Sequence, residues 1–238
     1  MTTHRRGGRR ELKFLISYAE YLQLKSRVSA LLNYDVNAGE NGYFIRSVYF
    51  DDICESAYYQ KLAGFGERKK YRLRSYNKSP DYITLERKEK FNLWVDKENA
   101  VIDRDVCNSL IAGDFSVLEG REEQVCREVY SQFRASGFHS SVIVDYHREA
   151  FVYPVSNLRI TFDKNLHAGG ITGFSMFEED DGVYVTVPAF INNSVILEVK
   201  YDEYVPEFVR SIIPSFTGVP ISISKYCRCK GINKAITS

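Results

Sequence analysis

Charged residues recur two positions apart, or four, in five short segments of the sequence. That spacing places side chains side by side on one face of a β-strand. The sets are Glu11 with Lys13, Arg72 with Arg74, Glu86 with Lys88, Arg159 with Asp163, and Glu198 with Lys200. The residues between them are mostly apolar, which suits the opposite face of each strand to a core. The sequence therefore predicts strands with one charged face and one apolar face.

The predicted charged faces carry more cations than acids. The cations are Lys13, Arg72, Arg74, Lys88, Arg148, Arg159, Lys200 and Lys225, and the acids are Glu11, Glu86, Glu198 and Asp163. Cations on converging strands repel one another unless an anion lies among them, and Arg and Lys both bind phosphate. The carboxylates suit Mg²⁺ or Mn²⁺, ions that bridge carboxylate and phosphate oxygens. For any single pair, a solvent-exposed strand face is the commoner explanation, but five such sets favour an anion site.

The elements that position these residues alternate between strands and helices. The sequence predicts strands at 11–16, 43–51, 69–76, 82–90, 141–153, 158–162, 183–187 and 194–201, and helices at 17–31, 53–62, 103–111, 119–135 and 204–213. Ser17 and Glu20 have the spacing of a capping box. The fold class is therefore α+β. Apolar faces packed outward against helices would leave polar faces to fill a barrel of roughly eight antiparallel strands.

Composition limits the classes of protein that remain. The chain has 238 residues and a formal net charge of +1, which argues against a generally basic nucleic-acid binder. No run of about 20 apolar residues is present, and residues 1–10 lack the apolar segment of a secretory signal. The five cysteines are scattered, which fits a reducing compartment, and we interpret Cys227 and Cys229 as strand residues. We expect a cytoplasmic protein.

Eight short segments follow one another in a characteristic order. They are RRELKF at 9–14, SVYFD at 47–51, RLRSY at 72–76, LERK at 85–88, YHREAF at 146–151, LRITFD at 158–163, ILEVK at 196–200 and SKY at 224–226. In this order they resemble the polyphosphate polymerase (VTC) domain family of the triphosphate tunnel metalloenzyme (CYTH-like) superfamily. The resemblance runs from about Arg9 to Gly231.

The resemblance implies a fold, a reaction and a set of site residues. The fold is an antiparallel eight-stranded β-barrel that encloses a tunnel, with inserted and flanking helices, in a single VTC-type domain over residues 9–238 after a disordered basic leader at 1–8. The implied reaction transfers the γ-phosphoryl group of ATP to a growing polyphosphate chain. The eight cations named above would hold these substrates. Tyr146, Ser224 and Lys97 would add phosphate contacts, and Glu198, with Glu11 and Glu86, would bind Mn²⁺ or Mg²⁺.

Two positions depart from the patterns of the superfamily. Hydrolase branches open with Glu-x-Glu-x-Lys, and Arg9 stands at the first of these positions, which favours the polymerase branch. Ser222 stands where the fungal enzyme has a lysine. A metal-dependent triphosphatase or tripolyphosphatase, or a polyphosphate or nucleotide sensor without turnover, stays open as an alternative. We expect ATP and polyphosphate as partners and no nucleic acid, and any link to a membrane would require a separate membrane protein.

Overall fold

A computed structural model describes residues 10–91, 94–172, 174–177, 185–213 and 219–237. The leader predicted at residues 1–8 lies outside this part of the chain. The described strands are β1 (Arg10–Ile16), β2 (Asn33–Tyr34), β3 (Tyr43–Asp51), β4 (Glu67–Tyr76), β5 (Ile83–Phe91), β6 (Trp94–Ile102), β7 (His139–Tyr153), β8 (Leu158–Gly169), β9 (Thr186–Pro188) and β10 (Val195–Tyr201). The described helices are α1 (Tyr18–Leu31), α2 (Ser56–Leu62), α3 (Arg104–Ile111), α4 (Gln124–Ser136), α5 (Glu207–Ile212) and α6 (Lys225–Thr237). The α+β class is confirmed.

The strands form one sheet in the order β1-β10-β8-β7-β3-β4-β5-β6, with β2 paired to β7 and β9 paired to β8. The pairings whose register is defined are antiparallel, as predicted. The count differs from the prediction, because ten strands are present among the described residues instead of eight. Within those residues β1 and β6 each pair on one side, so the sheet is open and closure into an eight-stranded barrel is not confirmed.

The chain divides into two compact units, each built from three separate segments. Unit 1 comprises Met1–Tyr43, Tyr146–Leu166 and Phe190–Ile223, and unit 2 comprises Phe44–Asp145, His167–Ala189 and Ser224–Ser238. The single domain expected over residues 9–238 stays a prediction. Among the described residues, no helix combines the length and the apolar character that crossing a bilayer requires.

The core of unit 1 lies between α1 and the apolar faces of β1, β8 and β10. Phe14, Phe162 and Leu197 on these strands pack in one cluster with Tyr21 and Leu24 of α1. Helix α1 begins with the predicted capping box: the Ser17 side chain accepts a hydrogen bond from the backbone N–H of Glu20, and the Glu20 carboxylate accepts one from the N–H of Ser17. Because alternate residues on each strand enter this core, the intervening charged residues face the other way.

The core of unit 2 is built in the same manner from β3, β4 and β5 with α3 and α4. Phe50, Leu73 and Leu85 on the strands pack against Leu110 of α3 and Phe133 of α4, and all five are essentially inaccessible to solvent. These contacts fix the strands whose opposite faces carry Arg72, Arg74 and Glu86.

The C-terminal segment differs from its prediction. Cys227 and Cys229 lie in helix α6 instead of a strand. The segment alternates apolar and polar residues, but its buried residues, Tyr226, Cys229 and Lys230, are spaced as on a helix. Ser224 stands just before the helix, and its hydroxyl accepts a hydrogen bond from the backbone N–H of Cys227 at 3.4 Å.

Candidate functional site

The charged face of unit 1 consists of residues paired directly across β1, β10 and β8. Such pairs in an antiparallel sheet project to the same side. One row of paired residues is Glu11, Lys200 and Arg159, and the next is Lys13, Glu198 and Thr161. We call this surface the unit 1 face; Arg148 on β7 and Asp163 on β8 join it through their contacts. The structure thus brings together the charged sets that the sequence predicts for these strands.

Each of the four predicted cations in unit 1 has a carboxylate partner. The two lysines lie close to glutamates: Lys13 Nζ is 2.7 Å from Glu11 Oε1, and Lys200 Nζ is 2.7 Å from Glu198 Oε1. The two arginines lie close to aspartates: Arg148 Nε is 2.6 Å from Asp163 Oδ1, and Arg159 Nη2 is 3.2 Å from Asp35 Oδ2. Arg148 also lies over the ring of Tyr146, 5.4 Å from its centroid, and Tyr146 is buried. The unit 1 face is therefore nearly balanced in charge.

Burial and neighbouring carboxylates set the protonation of the two lysines on the unit 1 face. Burial lowers the pKa of Lys200 to about 8, although Glu198 and Glu11 favour its charged form. Burial also acts to lower the pKa of Lys13, but Glu198 and Glu11 outweigh it and raise that pKa above its ordinary value. The two ammonium groups therefore differ in how readily they lose a proton.

The oxygen donors around Glu198 fit a hard divalent cation. Glu198 is 4% exposed, and its strand partner Thr161 has a buried hydroxyl without a hydrogen-bond partner among the described residues. Carboxylate and hydroxyl oxygens are ligand types that Mg²⁺ and Mn²⁺ accept, with phosphate oxygens completing the shell. Within the described parts of the chain, no three His, Cys, Asp or Glu side chains form a ready-made metal site. A metal here would need further oxygens, from water or from a bound phosphate.

The charged face of unit 2 consists of three rows across β3, β4, β5 and β6, which we call the unit 2 face. The rows are Ser47, Arg74 and Thr84; then Tyr49, Arg72, Glu86 and Asn99; then Lys70, Lys88 and Lys97. These rows hold five cations and one carboxylate. The cation surplus that the sequence predicts is therefore concentrated on the unit 2 face.

Glu86 is the acceptor at the centre of the unit 2 face. Arg72 donates to Glu86 Oε2 from Nε at 2.9 Å and from Nη2 at 2.6 Å, and Lys97 Nζ lies 3.2 Å from Oε1. Arg74 Nη1 is 3.6 Å from the same Oε1. Burial alone would raise the pKa of Glu86, but Arg72, Arg74 and Lys97 outweigh it and hold the pKa far below its usual range. Glu86 therefore stays ionised and aligns the two arginines.

Tyr49 and Ser224 make further polar contacts with cations of this face. Arg72 Nη1 donates to the Tyr49 hydroxyl at 2.8 Å. Burial raises the pKa of Tyr49, but Arg72 and Arg74 outweigh that effect and lower it. Lys70 Nζ donates to Ser224 Oγ at 2.9 Å, and Lys225 is the first residue of α6. The predicted residues Ser224 and Lys225 thus lie in unit 2, at the amino end of a helix that contacts the lysine row.

We expect Glu86→Gln to increase metal-free affinity for tripolyphosphate by about five- to ten-fold, because three cations lose the carboxylate that competes with phosphate. Isothermal titration calorimetry without metal measures this change. Asp96→Gln, which alters an exposed carboxylate on β6, serves as the control and should leave the affinity near that of the wild type. If Glu86 is instead chiefly a metal ligand, the variant would lose affinity in the presence of Mn²⁺ and gain none in its absence.

Lys70, Thr161 and Tyr49 belong to these faces but are not among the site residues predicted from the sequence. Lys70 stands two positions before Arg72, so the period-two spacing already pointed to it. Thr161 lies between Arg159 and Asp163 with the same spacing, but it carries no charge. Tyr49 could be placed beside Arg72 only once the register of β3 and β4 was known.

Comparison with one solved structure supports the fold. A Bacillus halodurans protein described as a candidate adenylate cyclase has a TM-score of 0.55 at 13% identity, covering 91% of this chain and 95% of that protein. A Pyrococcus horikoshii OT3 protein has a TM-score of 0.45 at 10% identity, covering 95% of this chain and 99% of that protein. At such identities the first likeness concerns the fold alone.

Comparison by sequence gives the family. No curated protein matches the chain. The family model of the VTC domain matches residues 8–232, which includes every candidate residue of both faces. The match covers nearly all of the 238 residues, and the chain belongs to the VTC domain family.

Proposed function

We propose that this protein is a metal-dependent polyphosphate polymerase, which transfers the γ-phosphoryl group of ATP to a growing polyphosphate chain inside a basic, metal-containing tunnel. The observation that carries the proposal is the unit 2 face, whose three rows hold five cations and one carboxylate. Such a surplus calls for a polyanion, and membership of the VTC domain family favours a phosphate polymer over other anions.

The residues of the unit 2 face suit the binding and alignment of phosphoryl groups. Arg72 and Arg74 are adjacent on one strand face, and Glu86 holds the Arg72 guanidinium in place by two hydrogen bonds. Their planar donors match phosphate oxygens, while Lys88, Lys97 and Lys225 supply compact charge. Phosphoryl transfer depends mainly on such alignment and on neutralisation of charge, so a covalent protein nucleophile is unnecessary.

The unit 1 face would contribute differently, because its cations already have carboxylate partners. Phosphate binding by Lys13, Lys200, Arg148 or Arg159 requires an exchange of partners, with Tyr146 as a further contact. Glu198 and Glu11 are the carboxylates of unit 1 that we propose to hold Mn²⁺ or Mg²⁺, and Glu86 is the candidate carboxylate of unit 2. When bound, the ion would neutralise charge on the phosphate oxygens. The hydroxyl of Thr161 would then gain an acceptor or a metal.

ATP is the phosphoryl donor and polyphosphate the acceptor, and nucleic acid is not a substrate. We place the reaction in the cytoplasm, with any attachment to a membrane made through a separate membrane protein.

Incubation of the purified protein with ATP and Mn²⁺ or Mg²⁺ tests this function. We expect acid-labile polymer that gel electrophoresis resolves as a ladder of long chains. Arg74→Ala should reduce the yield strongly, whereas Lys90→Ala, at the end of the hairpin, should change it little. Orthophosphate as the sole product would identify a triphosphatase instead, and binding of ATP without any product would identify a sensor.

A further inference from the structure

We propose that Lys70 is a further phosphate-binding residue of this protein, and that Lys70, Lys88, Lys97 and Ser224 form one subsite for a phosphoryl group of a linear polyphosphate. The inference rests on the proposed function and deepens it. Two rows of the unit 2 face contain the arginines, and the inference gives a role to the third row, whose three residues are all lysines.

The register of the sheet places the three lysines in line. Lys70 on β4 is paired directly with Lys88 on β5, and Lys88 is paired directly with Lys97 on β6. Directly paired residues have Cβ atoms about 4.5–5.5 Å apart, and like charges at such positions destabilise a sheet. Lys97 is partly compensated by Glu86, 3.2 Å away, but the direct pairing of Lys70 with Lys88 still has an electrostatic cost that a bound anion would reduce.

The partners of Lys70 leave its charge uncompensated by any described carboxylate. Its ammonium group donates to Ser224 Oγ at 2.9 Å, lies 3.6 Å from Cys227 Sγ, and sits 4.9 Å from the centroid of the Tyr226 ring. All three partners belong to the start of α6. Within the described residues no carboxylate lies within ion-pair distance of Lys70, so the contacts of this partly buried cation named above are all with neutral groups. Desolvation without a counter-charge is unfavourable, and burial lowers the pKa of Lys70 accordingly.

The amino end of α6 adds to the positive potential at this place. Helix α6 is 13 residues long and begins at Lys225, directly after Ser224. The first backbone N–H groups of a helix carry partial positive charge and favour anions. The lysine row, the helix end and the Ser224 hydroxyl therefore all favour the same kind of ligand.

The position of the row along the strands suggests what it binds. Lys70, Arg72 and Arg74 are successive residues on one face of β4, and each step of two residues covers about 6.8 Å. A linear polyphosphate laid along β4 would meet the rows one after another. The lysine row thus extends the arginine rows and lengthens the stretch of chain that unit 2 holds.

Titration of the metal-free protein with tripolyphosphate in a calorimeter tests the inference without relying on turnover. We expect Lys70→Gln to weaken binding about ten-fold, and Lys70→Arg to restore most of the affinity. The matched control is Lys69→Gln. Lys69 is the neighbouring residue on the opposite face, and its ammonium group lies 2.8 Å from Glu128 Oε1. This control should bind tripolyphosphate as the wild type does.

The outcomes separate this inference from the proposed function. Wild-type affinity in Lys70→Gln, with an unchanged unfolding midpoint, would overturn the role of Lys70 and leave the polymerase proposal intact. A wild-type protein that binds no tripolyphosphate, either without metal or with Mn²⁺, would overturn both. If Lys70→Gln fails to fold, the comparison moves to Lys70→Arg and Lys70→Met, and equal affinities of those two variants would contradict a charge-dependent subsite.

Discussion

Asp163→Ala is expected to lower the free energy of unfolding by about 3–5 kcal/mol, because it leaves the Arg148 guanidinium buried without its counter-charge. Asp163 is inaccessible to solvent and Arg148 is 8% exposed. The pair is bidentate, with Nε to Oδ1 at 2.6 Å and Nη2 to Oδ2 at 2.8 Å. The next carboxylate oxygen available to Arg148 belongs to Glu198 and is 3.8 Å away, too far to replace the lost hydrogen bonds.

Unfolding in urea, monitored by circular dichroism, measures this loss. Two further variants test whether it comes from the unpaired, buried charge of Arg148. Asp35→Ala breaks the more exposed pair with Arg159 and should cost about 1 kcal/mol or less. The double variant Arg148→Met with Asp163→Leu removes both charges, so it should recover much of the stability that the single variant loses. Equal losses in Asp163→Ala and Asp35→Ala would contradict the importance of burial.

Which charged residues share a face of a strand could be predicted from the sequence, because this depends on strand periodicity alone. Glu11 and Lys13 share a face by their spacing, and so do Glu198 and Lys200, whatever their partners are. The structure confirms both pairs and adds that they are neighbours on adjacent strands. Register requires long-range pairing of strands, which no local pattern in the sequence specifies.

The distribution of the cation surplus could not be predicted for the same reason. By sequence, eight cations and four acids form one set. In the structure, Arg159 is paired with Asp35, an acid from a loop that carries no period-two signal. Arg148 forms an ion pair with Asp163, an acid that the sequence pattern grouped with Arg159 on one strand face. These contacts leave the surplus on the unit 2 face.

Strand β6 and helix α6 were both absent from the elements predicted by sequence, for local reasons. Strand β6 contains four consecutive polar residues, at 96–99, which hide the alternation that usually marks a strand. Helix α6 begins within a segment that does alternate, and its helical burial pattern emerges from packing that only the structure shows. Both errors matter for the site, because β6 carries Lys97 and α6 begins at Lys225.

Glu198→Gln is expected to reduce ATP-dependent polymer formation by about 100- to 1,000-fold while leaving metal-free tripolyphosphate affinity unchanged or higher. The substitution keeps the size of the side chain and removes its charge. Glu198 lies 2.7 Å from Lys200 Nζ and 3.8 Å from Arg148 Nη2, so both cations lose a carboxylate neighbour in the variant. Phosphate would then meet less competition for them, whereas a divalent cation would lose a ligand.

Two measurements on the same protein separate these effects: polymer yield at increasing Mn²⁺, and calorimetric titration with tripolyphosphate in the presence of a chelator. Glu203→Gln provides the matched control, since it makes the same chemical change at an exposed carboxylate five residues further along unit 1. It should behave as the wild type in both assays. Full polymer yield from Glu198→Gln at saturating Mn²⁺ would exclude Glu198 as an essential metal ligand. A fall in metal-free affinity would instead mean that Glu198 acts by positioning Lys200 and Arg148 for phosphate.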